Sequence, residues 1–428
     1  FVFNKSLKWQ NIIVLVASYF FYGWWNWKFL GLLGLSTLLD SYYGFFVASP
    51  NKRKAKLFLW LSIFNNLGIL AVFKYYNFFV TEFESALEAS HKRLQQLMGD
   101  GIFQVDEEEC FYVYQVDTGV IVQTGLVGLV SAQDLQDQKI KKHEKTREDR
   151  ELQLSRFLEE IGINTTPVNL TYQHQHELDV LLAEITKESP PFLEATGSQN
   201  YVYKIWRVNQ PDWVDEIMQA FHRCPSFYIA DGHHRAACAS HSFFEKKSSA
   251  LEYFTATLIS SSQLNIHPFY RLIKKHDEFN REDLLQKLNK EFVVKEVLLD
   301  QWYFQFLSSY HFLLCFADKT YLLVPREHWE FNSVLERLDV SVLQSKIIDP
   351  ILGIREITKD PRIAFGTKSM PLKKFKALLS EVDTACVLLC RAPEIDDIFE
   401  VSDLGQVMPP KSTSFEPKIL SGLVMQIL

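Results

Sequence analysis

Three short stretches of the chain gather the side chains that could move a proton or hold an anion. The first is YIADGHHRAACASHSFFE, residues 228–245, where an apolar run ends in Asp231 and Gly232 before His233, His234 and Arg235 open a helical pattern. A glycine lets the backbone approach a ligand closely. Free N–H groups of a first helical turn point outward, and the helix dipole favours negative charge. Arg235 carries a planar fork that matches phosphate oxygens, and a histidine beside it can donate a hydrogen bond or carry a proton. Asp231 has three uses open to it: capping the helix, holding a histidine tautomer or binding a metal. The plain alternative is a capped helix with solvated polar residues. Yet four polar residues directly after a buried strand are costly without a task.

The second stretch is KIKKHEKTRED, residues 139–149, at a strand-to-helix transition. Glu144 suits a general base and His143 a phosphate or metal contact. A capping box and a solvated charged turn explain His143, Glu144, Thr146 and Arg147 equally well. The third is QVMPPKSTSFEPKILSGL, residues 406–423, where paired prolines precede Lys411, Ser412 and Thr413. That is a stiff loop with one cation and two hydroxyls aimed together, able to clamp a phosphate or a carboxylate, or only a surface crossover. In LDVSVLQSKIIDPILGI (338–354), Asp339 and Asp349 serve equally well as helix caps. His174 and His176, like the His233–His234 pair, lack a nearby carboxylate ligand set, so no metal site is expected.

The elements that must position these residues are legible in the pattern. CFYVYQVD and TGVIVQTGLVGLV predict a strand pair turning at Asp117–Gly119. EDRELQLSRFLEEIG predicts an amphipathic helix stopped by Gly162, and PVNLTY a strand. HELDVLLAEITK and DWVDEIMQAFHR read as helices, YVYKIWRV, SFYIA and YFTATLIS as strands, and CFADKTYLLV as a hairpin. The class expected is α/β or α+β with a mixed sheet. No GxGxxG or GxxxxGKS sequence occurs, which counts against a dinucleotide fold or a P-loop.

The first 87 residues have another character. They carry eight basic and three acidic residues, a net of +5, whereas the rest of the chain nets -12. Such a division suggests membrane contact at the N-terminus and argues against a general nucleic-acid binder. Trp9–Trp27 is free of charge and ends in aromatics, Phe29–Ala48 is interrupted only by Asp40, and Leu57–Phe73 contains Asn65 and Asn66. These runs are expected to be an all-α, transmembrane-type segment of two or three helices over residues 1–87, with NKRKAK (51–56) on the cytoplasmic side. The body, 88–428, is expected to be a soluble domain in the cytoplasm. Its six cysteines form no CxxC pair, as suits buried free thiols in a reducing compartment.

FYGWWNWKFL, LLGLSTLLD and FKYYNFFV resemble the N-terminal region of membrane-bound O-acyltransferases of the alginate O-acetylation type, over residues 1–83. Those enzymes use a histidine in a long multi-helix core, and no histidine precedes His91 here. The resemblance implies membrane residence and a fragment, without acyl transfer. HEKT, YIADGHHR, LDVSVLQSKIIDPILGI and MPPKSTSFEPK, in this order, resemble the blocks of the family known as domain of unknown function 1015, over residues 95–428. That family is related to the ParB/sulfiredoxin-like superfamily, whose Gly-His-Arg turn cradles nucleotide or pyrophosphate oxygens. The resemblance implies a phosphotransferase related to free L-serine kinases, with ADP, ATP or pyrophosphate as donor and Mg²⁺ as cofactor. It puts Asp231, Gly232, His233, His234 and Arg235 at the phosphate, with Glu144 as the base, and the reading of the proline loop adds Lys411, Ser412 and Thr413 to the binding site. Glu144, His233 and Arg235 become the catalytic set. A nucleotide-binding sensor or clamp without turnover is the alternative. The chain departs from the family pattern at GTKSMPL (366–372), where a glycine-rich turn is usual, and at Ser414, where an aromatic residue is usual.

Overall fold

A computed structural model describes residues 38–43, 46–47, 52–71, 77–197, 199–246, 251–299, 307–367 and 371–428. The chain divides into two compact units, Phe1–Phe103 and Gln104–Leu428.

In the first unit, helices occupy Lys52–Ala71 and Asn77–Gly99, and the latter runs through residue 88 without a break. Among the described residues no helix is long and apolar enough to cross a membrane. The described part of the helix that holds Leu57–Phe73 does not support the expected crossing, and residues 72–73 of that run lie outside the described residues. Its helix opens on KRKAK and carries Asn65-Asn66 midway, and ammonium and amide groups are expensive in hydrocarbon. The run Trp9–Trp27 lies outside the described residues, as does most of Phe29–Ala48.

The second unit is a mixed α/β domain. Strands β1 (Phe111–Asp117) and β2 (Val122–Ser131) form the expected antiparallel hairpin. Its turn is set by Gly119, at φ +79°, whose N–H donates to Asp117 Oδ1 at 2.8 Å. The chain continues through β3 (Ile140–Lys141), β4 (Ile163–Asn164), β5 (Val168–Tyr172), β6 (Leu193–Thr196), β7 (Val202–Val208), β8 (Phe227–Asp231) and β9 (Tyr253–Ser260). An eight-stranded sheet orders all of these but β4 as β3-β8-β5-β9-β2-β1-β7-β6. The pairs β3–β8 and β5–β9 are parallel and the others antiparallel.

Helices Glu148–Ile161, His176–Glu188, Pro211–His222 and His233–Lys246 connect these strands. The first stops at Gly162, at φ +74°, where a left-handed residue closes the last turn. On β5, Val168, Leu170 and Tyr172 share a core with Leu178, Ala220, Ala236 and Ala239 of the helices, while Asn169 and Thr171 alternate to the other face.

A second sheet follows: β10 (Asn265–His267) precedes it, then come β11 (Phe269–Lys274), β12 (Phe292–Val297), β13 (Phe312–Cys315), β14 (Thr320–Pro325), β15 (Ile363–Thr367) and β16 (Thr384–Leu389). Strands β11 to β16 make an antiparallel sheet in the order β12-β14-β13-β16-β11-β15. The last strands return to earlier ones: β17 (Ser414–Glu416) pairs with β10, and β18 (Gln426–Ile427) with β4. One apolar cluster holds Phe292, Phe312, Leu388, Val340 and Ile347 together with Ala230 of β8 and Phe415 of β17. The two sheets thus share a core where β8 ends. All six cysteines are free thiols, four of them buried.

Candidate functional site

The site begins with a topological fact. Strand β3 lies parallel to β8, with Ile140 opposite Phe227 and Lys141 opposite Tyr228, so both chains leave the sheet at the same end. The residues after β3 therefore meet the residues after β8, although some 90 positions separate them. The rings of His143 and His233 stand edge to face, 4.6 Å between centroids, and Glu144 Oε2 lies 3.7 Å from His233 Nδ1.

Gly232 makes the turn possible. Its φ is +96°, and a Cβ there would lie 2.9 Å from the Arg235 guanidinium. Its carbonyl accepts the N–H groups of Arg235 and Ala236 and so starts the helix.

The C-terminal loop closes over this pair. The Met408 N–H donates to the His143 carbonyl at 2.7 Å, and His143 Nε2 is 3.3 Å from Thr413 Oγ1. Phe415 packs its ring 6.1 Å from that of His143. Lys418 Nζ donates to Asp231 Oδ1 at 2.9 Å.

Three of the four sequence blocks thus converge, and several expected roles change. His143 is fully buried, which corrects the solvated-turn reading, and the following helix has Arg147 at its N-cap without a side-chain capping bond. Arg235 does not hold its fork open. One guanidinium nitrogen donates to the carbonyls of Thr166 and Pro167, and the other to Asp231 at 2.9 Å. His234 turns aside, its Nδ1 accepting the Arg147 N–H at 3.4 Å. Ser412 is buried and spends its hydroxyl on the Pro409 carbonyl at 2.6 Å, so it does not aim with Thr413.

Asp339 stands apart. Its carboxylate accepts the Tyr310 N–H at 2.7 Å, and burial pushes its pKa up to about 6. Asp349 lies 3.4 Å from Arg355. His174 sits beside Asp179 at 3.2 Å. Sequence reasoning missed Lys418, whose ordinary spacing gives no signal until the last loop folds back onto Asp231.

Burial governs the electrostatics. It drives the His143 pKa down to about 4 and, helped by the nearness of His143, that of His233 well below the usual imidazole value. Both are therefore neutral near pH 7. His143 Nδ1 and His233 Nε2 are buried, and neither finds a hydrogen-bond partner among the described residues. Burial raises the Glu144 pKa, and Asp231 adds to this, while Lys411 and Lys418 pull it back. The arrangement is a half-buried carboxylate beside a buried pair of neutral imidazoles, with the Lys411 and Lys418 ammonium groups acting on its charge.

Mg²⁺ finds no protein cage here. Among the described residues no group of three His, Cys, Asp or Glu side chains is placed to hold a metal, and Asp231 is already engaged by Arg235 and Lys418.

A family model described as protein of unknown function (DUF1015) matches residues 79–341. The chain belongs to this family. The matched stretch carries His143, Glu144 and the turn 231–235, while Lys411, Thr413 and Lys418 lie beyond it. The N-terminal part is similar to other proteins. The probable alginate O-acetylase AlgI of Azotobacter vinelandii is 36% identical over 73 residues, 17% of this chain and 15% of that protein. Its Pseudomonas putida counterpart is 40% identical over the same length and shares. The chain thus spans less than a fifth of these relatives. Among solved structures, a free serine kinase mutant in complex with ADP is 14% identical with a TM-score of 0.36, covering 69% of this chain and 91% of that one. A conserved hypothetical protein from Pyrococcus furiosus is 15% identical with a TM-score of 0.33, covering 69% and 94%. Likeness at that level has no bearing on activity.

Proposed function

We propose that residues 104–428 transfer a phosphoryl group from ADP, ATP or pyrophosphate to the hydroxyl of a small amino acid, with free L-serine as the first acceptor to test. The observation that carries this reading is the Glu144 carboxylate, held beside His233 where β3 and β8 leave the sheet together. Donor and acceptor come from the resemblance of the ordered sequence blocks. In this scheme the acceptor hydroxyl gives its proton to Glu144 as its oxygen attacks the transferred phosphorus. The bond from that phosphorus to the donor's bridging oxygen breaks, and the leaving group departs with the electron pair. Lys411 and Lys418 offset the anionic charge, and the buried His233 Nε2 is a hydrogen-bond donor to a phosphate oxygen. Arg235 fixes the turn by tying Asp231 to the start of β5.

Incubating the folded full chain with serine and each donor, and following O-phosphoserine by ³¹P NMR, tests the reading. Product that disappears in Glu144→Gln supports it. No product with any of the three donors overturns it.

A second reading is a nucleotide-binding clamp without turnover. It is favoured by the Arg235 fork being spent on Thr166, Pro167 and Asp231, which leaves fewer free cations for a moving phosphoryl group. Tight nucleotide binding without product selects it.

A further inference from the structure

An arginine with no acid beside it lies beneath the proline loop. Arg271, on β11, is 1% exposed, with the Phe365 ring 5.9 Å from its guanidinium, and among the described residues no carboxylate forms an ion pair with it. Nη1 donates to the Phe269 carbonyl at 2.6 Å and reaches Cys390 Sγ at 3.7 Å, Nη2 donates to the Lys411 carbonyl at 3.2 Å, and Nε is buried without a partner. The thiol does not supply the missing charge, because burial pushes the Cys390 pKa up to about 11. A guanidinium is rarely buried unpaired, since desolvating its charge is costly. Something must justify the position.

Its hydrogen bonds to oxygen join a carbonyl of its own strand, Phe269, to one of the loop, Lys411. Lys411 has φ +61°, a left-handed backbone that a side-chain-bearing residue adopts only when its surroundings force it. Arg271 holds the carbonyl of that residue. It also holds the carbonyl of Phe269, and the Lys411 ammonium rests 5.3 Å from the centre of the Phe269 ring. Backbone and side-chain tip of Lys411 are thus both referred to the same short piece of β11. On either side the loop is tied to His143, through Met408 and Thr413.

We propose that Arg271 is a positioning residue that locks Lys411 in its left-handed conformation and so sets where its ammonium stands relative to Glu144. The inference rests on the reading of Glu144 as the titrating group of the site. It gives the second sheet a task in the chemistry of the first. The charged groups facing Glu144 are Lys411, Asp231 and Lys418, with His233 at 3.7 Å. Of these only Lys411 is held by Arg271.

The test is the titration of the Glu144 carboxyl in the full, ligand-free chain, followed by ¹³C NMR with glutamate labelled at the carboxyl and assigned by loss of the signal in Glu144→Gln. Lys411→Met removes an attracting cation, so the midpoint rises. Arg271→Gln is expected to raise it by the same amount, and the double variant by no more than either single one. Arg271→Lys keeps a buried cation but cannot span both carbonyls. It serves where Arg271→Gln fails to fold, and it too must raise the midpoint. A midpoint unmoved by the Arg271 variants, unmoved by Lys411→Met, or raised further in the double variant than in Lys411→Met overturns the proposal. Because no substrate is present, failure to form phosphoserine would sink the kinase reading without touching this result.

Discussion

Glu144, His143 and His233 illustrate how burial assigns roles to ordinary side chains. Glu144 must be ionised to accept a proton, and burial holds its pKa above the usual 4.5. Phosphoserine formation should therefore fall as pH drops, starting at a higher pH than an ordinary glutamate would allow. Glu144→Gln should lower the rate roughly 100-fold or more while nucleotide binding survives, as measured by product formation and calorimetry. His143 makes a separate prediction. Its folded pKa, near 4, lies below the 6.5 of the unfolded chain, so between those values the unfolded state binds more protons. The stability concerned is full above pH 6.5 and is lost as pH falls towards 4, by about 3 kcal/mol. Denaturant midpoints from pH 7 to 4.5 should fall less steeply in His143→Phe than in the wild-type chain. His233, depressed in the same direction, leaves a residual slope.

The deciding element is the strand–turn–helix from β8 through Gly232 into His233–Lys246. Its φ of +96° strains any residue that carries a side chain, and an added Cβ would push against the Arg235 guanidinium. Gly232→Ala should cost roughly 1–3 kcal/mol in denaturant unfolding and weaken nucleotide binding, because the turn and the Arg235 clamp are strained together. Unchanged stability would show that the turn relaxes freely. Elements of this kind were largely legible in the sequence. The helix ending at Gly162, the hairpin at Asp117–Gly119 and the strands around YIAD rest on local periodicity and turn chemistry, which neighbours in the chain supply. The membrane-crossing reading of Leu57–Phe73 rested on hydrophobic content, and the described part of its helix, with the basic cluster at its start and the asparagine pair midway, does not support it. For His143 the sequence left a phosphate or metal contact and a solvated turn both open, because its flanking lysines and glutamate are polar. Nothing in that pattern reveals a loop from residue 408 onward lying over it.

At the scale of the Gln104–Leu428 unit, the C-terminal segment works as a strap. It runs from the second sheet past the site and back to the first, where Ile419, Leu423 and Val424 pack on Tyr114, Val116 and Ile205, and Gln426 receives the Thr255 N–H at 3.1 Å. Removing residues 419–428 should lower stability by roughly 3 kcal/mol from the apolar area uncovered, and raise the binding of a hydrophobic dye. An unchanged melting temperature would mean that the strap is dispensable. What the sequence by itself determined is the mixed α/β class of this unit, most of its element boundaries and the residue types of the turn at 231–235, because these depend on contacts a few residues apart. Only the tertiary structure decided that β3 lies parallel to β8, that Arg235 is spent inward, that Lys418 meets Asp231 and that Arg271 reaches Lys411. Each of those joins partners from 68 to 187 positions apart, or follows from such a join, and no local pattern encodes a contact whose two halves meet only when the chain has folded.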